Sequence, residues 1–193
     1  QGELGDGTDV SSAIPKKVEG SFRSVATGYY HTVAVKTDGS LWVWGDNNYG
    51  QLGDGTTTTS RVPKKIGDNF ATVAAGYHHT LAVKTDGSLW AWGLNYYGIL
   101  GNGTINNSPV PIKVGDGYTS IAASIATSAG IKADGSLWVW GSNSEGELGD
   151  GTDTESTIPK QVNGSFKSVA TGYYHTVAVK TDGSLWVWGD NNY

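Results

Sequence analysis

Three histidines in the chain, His31, His79 and His175, occupy equivalent positions, each three residues after a glycine. Imidazoles at repeated positions could bind a metal ion or carry protons. A metal site needs several ligands within coordination distance, whereas equivalent positions in separate repeats lie far apart. The fourth equivalent position holds Thr127, which interrupts the series. Each histidine also follows a Gly-x-x turn and starts a strand, so a structural role is favoured and no metal site is predicted.

Aromatic doublets immediately precede these histidines. They are Tyr29-Tyr30, Tyr77-His78 and Tyr173-Tyr174, and the remaining repeat has Ile125-Ala126 instead. If exposed, the doublets would form a patch suited to protein contact or to stacking on sugars. The alternative is that one ring of each pair packs between repeats, and the sequence leaves both interpretations open. Because one repeat lacks the doublet, a binding surface formed by the doublets would be asymmetric.

A Gly-, Asn- and Thr-rich stretch from residue 45 to residue 60 is interpreted as a long surface loop. Its polar and aromatic residues make a second candidate binding surface: Asn48, Tyr49, Tyr96 and Tyr97. One asparagine recurs at the same loop position, as Asn47, Asn95, Asn143 and Asn191. Asparagine tolerates left-handed backbone, so a turn of that conformation is the predicted reason.

Several kinds of chemistry are not supported by the sequence. It contains no cysteine, no nucleophile elbow and no glycine-rich phosphate loop before a helix. The acidic segments Gly5–Asp9 and Gly149–Asp153 lack the ligand spacing of an EF-hand. We therefore predict no enzyme activity, no cofactor and no metal.

Charge and hydropathy narrow the possible partners. The net charge of −5 has the wrong sign for neutralising phosphates, so nucleic acid is not expected. No apolar run is long enough to cross a bilayer, so a membrane is not expected either. The compartment stays open, with secretion and the cytoplasm both compatible.

The chain consists of a fourfold repeat, and this repeat must position the residues described above. Gly-Ser-Leu-Trp recurs every 48 residues, at Gly39, Gly87, Gly135 and Gly183. One domain, 1–193, thus comprises four units, at about 2–49, 50–97, 98–145 and 146–193. Segments 20–49 and 164–193 differ only at Arg23 versus Lys167, which indicates recent duplication or engineering.

Within a unit the apolar residues alternate with period two, which predicts strands. In the first unit these are Phe22–Thr27, Thr32–Lys36, Leu41–Trp44 and, at an edge, Ile14–Val18. Four short antiparallel strands repeated with aromatic signatures are typical of a β-propeller blade, so the predicted fold class is all-β. Paired tryptophans are predicted to fill the interfaces between blades: Trp42/Trp44, Trp90/Trp92, Trp138/Trp140 and Trp186/Trp188.

The residues from Val25 to Val35, followed by Asp38-Gly39, Trp44-Gly45, Asn47 and Gly50–Gly53, resemble the repeat of the regulator of chromosome condensation family. The pattern covers essentially the whole chain and is most similar to near-consensus bacterial repeats. The resemblance implies a propeller, usually of seven blades, whose faces act as docking platforms. It also implies that the histidine at positions 31, 79 and 175 is structural and hydrogen-bonds neighbouring backbone. Members include a nucleotide exchange factor for a small GTPase and a secreted bacterial inhibitor of β-lactamases.

Four repeats raise a geometric question about ring closure. Seven blades imply about 51° per step, a closed ring of four about 90°, and eight blades about 45°. We therefore predict a homodimer in which two chains form one eight-bladed ring, Tyr193 of each running toward Gln1 of the other. The alternatives are a monomeric four-bladed ring and an open fragment of a longer array.

The function predicted from these observations is a non-enzymatic scaffold for protein–protein interaction. The competing hypothesis is a multivalent carbohydrate-binding, lectin-like module that uses the tyrosine and asparagine loops. A third hypothesis, guanine nucleotide exchange, rests on the family resemblance alone.

Overall fold

The computed structural model describes residues 1–192, which form strands joined by tight turns and longer loops. Three sheets have four strands each: β1 (Phe22–Thr27), β2 (His31–Lys36), β3 (Leu41–Gly45) and β4 (Ser60–Gly67); β5 (Phe70–Ala75), β6 (His79–Lys84), β7 (Leu89–Gly93) and β8 (Ser108–Gly115); and β9 (Tyr118–Ala123), β10 (Thr127–Lys132), β11 (Leu137–Gly141) and β12 (Ser156–Val162). The last sheet has three: β13 (Phe166–Thr171), β14 (His175–Lys180) and β15 (Leu185–Gly189). The chain is therefore all-β, as predicted, apart from one short 3-10 turn at Tyr96–Gly98 within the described residues.

Each sheet is antiparallel and takes its strands in chain order. The first strands of successive sheets, β1, β5, β9 and β13, contact one another, so the sheets are arranged around a common axis as blades. The Asp-Gly hairpins form as predicted, with Asp38 accepting hydrogen bonds from the backbone and the hydroxyl of Ser40.

The predicted edge strand Ile14–Val18 is wrong for this chain, because the segment has no regular structure. Its equivalents in the later repeats are strands β4, β8 and β12, each of which pairs with the third strand of the repeat before it. A blade therefore combines three strands of one repeat with one strand of the next. Among residues 1–192 no third strand is left unpaired beside Ile14–Val18, and a lone strand leaves its backbone groups to water.

The core lies between neighbouring blades in three clusters. The second tryptophan of a pair carries these interfaces: Trp92 packs against the first blade and Trp140 against the second, both with no exposed surface. Trp92 lies against Gly53, whose φ of +71° and a would-be Cβ 2.7 Å from the indole nitrogen both require glycine.

The first tryptophan of each pair is less buried than the second, although Trp90 and Trp138 pack against the interface clusters. Trp42, Trp90 and Trp138 are half-buried and lie beneath lysine ammonium groups; Lys84 Nζ lies 4.5 Å from the Trp90 ring centre. These indoles bind a cation on their ring faces and donate to the serines of their own hairpins. Alternation places the two tryptophans of a pair on one face, but the first, beside the hairpin, stays half-buried, whereas Trp92 and Trp140 are fully buried against the preceding blade.

The last pair, Trp186 and Trp188, corrects the prediction further, because neither ring is fully enclosed between blades. Trp188 packs against the third blade and donates to the Glu147 carbonyl at 2.8 Å, yet its side chain is only partly buried, unlike Trp92 and Trp140. Trp186 is 50% exposed. Within residues 1–192 the fourth blade has neither a fourth strand nor a following blade. Trp188 is therefore covered on one side alone, and its interface is incomplete in a single chain.

The two terminal blades are open. Val25 of the first blade is 65% exposed, whereas its equivalent Val73 is 7% exposed. On the fourth blade Leu185 is 63% and Val187 61% exposed, whereas Leu41 and Val43 are fully buried. Within residues 1–192 no strand pairs beyond β15. The chain is therefore an open arc of four blades, and the closed four-bladed ring of the alternative prediction does not form.

Candidate functional site

One end of the blades collects the candidate binding residues. Because strands alternate in direction, the turn after each first strand and the loop after each third strand meet at the same end. Backbone bonds join them: the Asp46 N–H donates to the Tyr30 carbonyl at 2.7 Å, and the Leu94 N–H to the His78 carbonyl at 2.8 Å. We call this end the tyrosine face; it comprises turns 28–30, 76–78, 124–126 and 172–174 with loops 46–59, 94–107 and 142–155.

The recurrent loop asparagine acts as a side-chain anchor. The Asn143 amide donates to the carbonyls of Thr152 (2.9 Å) and Thr154 (3.0 Å), and its oxygen accepts the Leu148 N–H at 2.9 Å. Asn47 and Asn95 make the same set of bonds. The prediction of left-handed backbone is wrong at Asn47, Asn95 and Asn143, because none of these three has a positive φ. Repeating the side chain from unit to unit preserves the loop's shape.

In the acidic segments Gly5–Asp9 and Gly149–Asp153, which were considered as calcium loops, an aspartate side chain binds a lysine. Asp150 accepts a hydrogen bond from Lys160 Nζ at 2.6 Å and others from Thr152. Burial opposes ionisation of this carboxyl, but the bonds from Lys160 and Thr152 outweigh it and lower the Asp150 pKa to about 2. Asp6 and Lys16 form the same pair in the first repeat. The carboxylates of Asp6 and Asp150 therefore stabilise the conformation of their own loops.

The aromatic doublets of the first two blades form one continuous cluster. The rings of Tyr29 and Tyr77 lie 4.4 Å apart, and Tyr30 contacts Tyr29 edge-on at 4.3 Å. His78 joins the cluster through Tyr77 at 4.3 Å and through Tyr49, from the loop of the first blade, at 4.7 Å. Tyr29, Tyr30 and Tyr49 are solvent-exposed. Packing and exposure therefore coexist in this cluster, with the inner rings holding the outer ones in place.

His78 is fixed by a polar network that the sequence analysis missed. Gln51 Nε2 lies 3.2 Å from His78 Nδ1 and donates to Asp46 at 2.7 Å. Burial lowers the pKa of His78, an effect that the nearby Asp46 carboxylate opposes. The sequence signal for this network was the pair Asp46 and Gln51, which lie five residues apart on either side of the loop asparagine. At this spacing their side chains can hydrogen-bond to each other within the loop. The side-chain amide of Asn48 also donates to a carboxylate oxygen of Asp46, at 2.7 Å.

The remaining candidates lie farther along the same face. Tyr96 and Tyr97 contact each other at 4.4 Å in the short 3-10 turn, where Tyr97 has a φ of 59°. Tyr173 and Tyr174 contact each other at 4.1 Å on the fourth blade. The structure thus places all ten candidates on one face, divided between the cluster of the first two blades and the region around the third.

The three equivalent histidines lie inward of the tyrosines. His31 Nε2 lies 3.0 Å from the Thr80 hydroxyl of the next blade, and His79 Nε2 lies 3.0 Å from the Ser128 hydroxyl. The partner is thus a side-chain hydroxyl rather than the backbone that was predicted. Burial lowers the pKa of both imidazoles to about 3. His175 is exposed at the open end.

A cavity of about 490 Å³ opens where the tyrosine face lacks an aromatic doublet. Tyr97 lines one side, Tyr173 and Tyr174 another, and two acidic residues, Asp153 and Glu155, lie at its edge. The sequence analysis did not single out Glu155, since one carboxylate in a polar loop carries no pattern. The absence of the doublet at Ile125-Ala126 was the signal that pointed here.

The fold and the repeated blade define a class, that of β-propeller repeat proteins. Models of the regulator of chromosome condensation (RCC1) repeat match residues 1–35, 38–83, 86–129 and 134–179, and, for a second model, 22–51, 70–99, 118–147 and 166–193. The chain belongs to the RCC1 repeat family. No curated protein matches it in sequence.

Solved structures with the same arrangement include human WBSCR16, with a TM-score of 0.80 and 24% identity over 87% of this chain and 47% of that one. Prp20p from Saccharomyces cerevisiae gives a TM-score of 0.75 and 26% identity over 91% of this chain and 47% of that one. The computationally designed protein Ika4 gives 0.52 and 14%, over 91% and 95%. The chain spans about half the length of the two natural relatives. No helix in the described part of the chain could span a membrane.

Proposed function

We propose that this protein is a non-enzymatic scaffold that binds a protein partner through its tyrosine face. The observation that carries the proposal is the cluster of Tyr29, Tyr30, Tyr49, Tyr77 and His78, in which outer rings stay exposed while inner contacts hold them. Pre-positioned tyrosines give large contact area with little loss of conformational entropy on binding. The structure of Prp20p is described together with that protein's binding to Gsp1p and histones, which is consistent with a face that binds proteins.

Selection from a displayed random-peptide library tests the proposal without a known partner. We expect enriched peptides that bind the wild-type chain and lose at least tenfold in affinity when Tyr29→Ser and Tyr77→Ser are combined, because the rings supply the contact area. Val110→Ser, an exposed apolar residue on β8 outside the tyrosine face, is the matched control and should bind as wild type. Peptides that bind the double variant as tightly as wild type would contradict the proposal.

A glycan array separates the scaffold from the carbohydrate-binding alternative. Under the scaffold proposal the array stays silent. Glycan binding that disappears in the same Tyr29→Ser, Tyr77→Ser variant would replace the scaffold by the lectin hypothesis, because stacking on a sugar uses the same exposed rings.

A second copy of the chain is the partner that the open ends fit. Leu185 and Val187 expose the surface that Leu41 and Val43 bury, and β15 has an unpaired edge within residues 1–192. Segment 10–18 carries the pattern of β4 and lacks a strand to pair with. By the register of β4 on β3, Lys17 of one copy would lie opposite Trp186 of the other, and Lys16 opposite Val187.

The same interface would complete the histidine series. Thr32 donates its hydroxyl to the Glu3 carbonyl, as Thr80 does to the equivalent Gln51 carbonyl, and its oxygen remains available as a partner for His175 of a second copy. Two identical junctions would then close an eight-bladed ring, at about 45° per blade. The proposal concerns the 193-residue chain as it stands.

Mass measurement by multi-angle light scattering tests the ring. We expect twice the 20.3 kDa of one chain at micromolar concentration. Val187→Lys should give a folded monomer, because the lysine would be buried at the junction but is exposed in a single chain. Ile158→Lys, equally exposed on the outer strand β12, should remain dimeric. A monomeric wild-type chain would refute the ring.

A further inference from the structure

The cavity between the third and fourth blades has the size of a ligand site. Its volume of about 490 Å³ falls within the usual range of small-molecule pockets. Tyr97 reaches it from the loop of the second blade, and Tyr173 and Tyr174 reach it from the turn of the fourth. Three tyrosines from two blades thus line a single space, although Tyr97 lies far from Tyr173 and Tyr174 in the sequence.

The space is open because one aromatic residue is missing. At the junction of the first two blades the ring of Tyr49 contacts that of His78, with ring centres 4.7 Å apart. The equivalent pair at the next junction is Tyr97 and Ala126, which offers no second ring. Ala126 therefore provides no ring to contact Tyr97, and the space beside that tyrosine stays open.

The edge of the cavity is acidic and held in place. Asn143 binds the carbonyls of Thr152 and Thr154, so the intervening and following carboxylates, Asp153 and Glu155, project from an anchored loop. Neither forms an ion pair with any residue in 1–192, and no lysine or arginine lines the cavity. The equivalent of Asp153 in the first repeat, Asp9, does bind a guanidinium, that of Arg61 at 2.6 Å.

We propose that this cavity binds the side chain of an arginine presented by a protein partner. A planar guanidinium stacks on aromatic faces and donates to two carboxylates at once, so it uses both the tyrosines and the acidic edge. An anion would meet two carboxylates with no compensating cation. A lysine would use the charge but would gain less from the ring faces.

The inference deepens the proposed scaffold function and rests on it for the source of the arginine. The two remain separable, because a single capped amino acid tests the cavity while the peptide selection tests the cluster of the first two blades. For one side chain on a partly exposed site we expect a dissociation constant on the order of a millimolar. Added salt should weaken the binding, because the acidic edge is open to solvent.

Titration with N-acetyl-arginine methylamide, followed by two-dimensional amide NMR, measures the binding. We expect saturable shifts confined to the loop at 142–155 and the turn at 172–174. The neutral isostere N-acetyl-citrulline methylamide should bind at least tenfold more weakly. Equal binding of the two compounds, or preferential binding of a chitin or maltose oligosaccharide in their place, would overturn the proposal, as would no saturation by about 20 mM arginine amide.

Two variants then locate the site. Asp153→Asn combined with Glu155→Gln removes the charge from exposed positions and should lower the affinity at least tenfold, whereas Asp9→Asn at the equivalent position should leave it unchanged. Ala126→His places in the cavity the imidazole that the second repeat has at the equivalent position, His78. This variant keeps both carboxylates and should abolish binding. Unchanged affinity in both the charge variant and Ala126→His would refute the assignment.

Discussion

Buried imidazoles in this chain are held in the neutral form. His31 and His79 have almost no exposed surface, and the Nδ1 atom of each has no hydrogen-bond partner. A proton there would create an uncompensated buried charge, so burial lowers each pKa from its usual 6.5 to about 3. The same residue type at the same repeat position therefore joins blades and is unavailable for acid–base chemistry near neutrality.

The chain should lose stability as the pH falls from about 6.5 toward 3. In that window the unfolded state binds protons that the folded state refuses, so the stability present above pH 6.5 is lost on acidification. The expected slope is about 1.4 kcal/mol per pH unit for each of the two histidines. Urea unfolding at pH 7, 6 and 5 measures it. His79→Gln should reduce the slope, and stability that is flat between pH 7 and pH 5 would disprove the explanation.

Asn143 should contribute more to the free energy of unfolding than a surface asparagine does. Asn143→Ala removes two donated hydrogen bonds and one accepted bond that are mostly sealed from water, so we expect a loss of about 2–4 kcal/mol in the free energy of unfolding. Asn106→Ala, at an exposed position of the equivalent loop, should stay within about 0.5 kcal/mol. Equal losses in the two variants, measured by urea unfolding, would contradict the anchor role.

At the scale of the blade, two tryptophans two residues apart perform different tasks. Trp92 is fully buried against the first blade and donates to the Gln51 carbonyl at 2.9 Å. Trp90 is half-buried, donates to Ser88 of its own hairpin at 2.9 Å and carries Lys84 over its ring. Trp92 joins a blade to its neighbour, whereas Trp90 packs only partly buried against the same cluster, beside its own hairpin.

Substituting each tryptophan by phenylalanine compares these tasks. Trp92→Phe should cost about 2–3 kcal/mol, because it leaves a void between blades and removes an interface hydrogen bond. Trp90→Phe should cost less than about 1 kcal/mol, because its site is open to water. The free energy of unfolding is again the measurement, and a larger loss for Trp90→Phe would show that the interface assignment is wrong.

At the scale of the whole molecule, the proposed ring links stability to concentration. If two chains share two junctions, folding and association are coupled, so the midpoint of thermal unfolding should rise with chain concentration. The midpoint of the Val187→Lys variant should not depend on concentration. A wild-type midpoint constant over a hundredfold range of concentration would argue against the coupled dimer.

The local elements were predictable from sequence because their causes are local. Period-two alternation gave the first three strands of the blade, and Asp38-Gly39 gave the hairpin between two of them. The fourth strand was misassigned within the first repeat, because its pairing partner belongs to another repeat. Likewise, the candidates on the tyrosine face were found by their types, but Asp153 and Glu155 acquire meaning only beside Tyr97 and Tyr174, which lie far away in the sequence.

Segments 20–48 and 164–192 distinguish what the sequence determines from what the tertiary structure decides. They differ only at Arg23 versus Lys167 and form the same three strands with the same hairpins. Yet Leu41 is fully buried and Leu185 is 63% exposed, and His31 bonds the next blade while His175 faces solvent. The sequence by itself determined the strands, turns and blade, since these depend on backbone conformation and neighbouring side chains. Tertiary structure alone decided burial, protonation and the shape of the binding face, because those depend on which blade lies alongside.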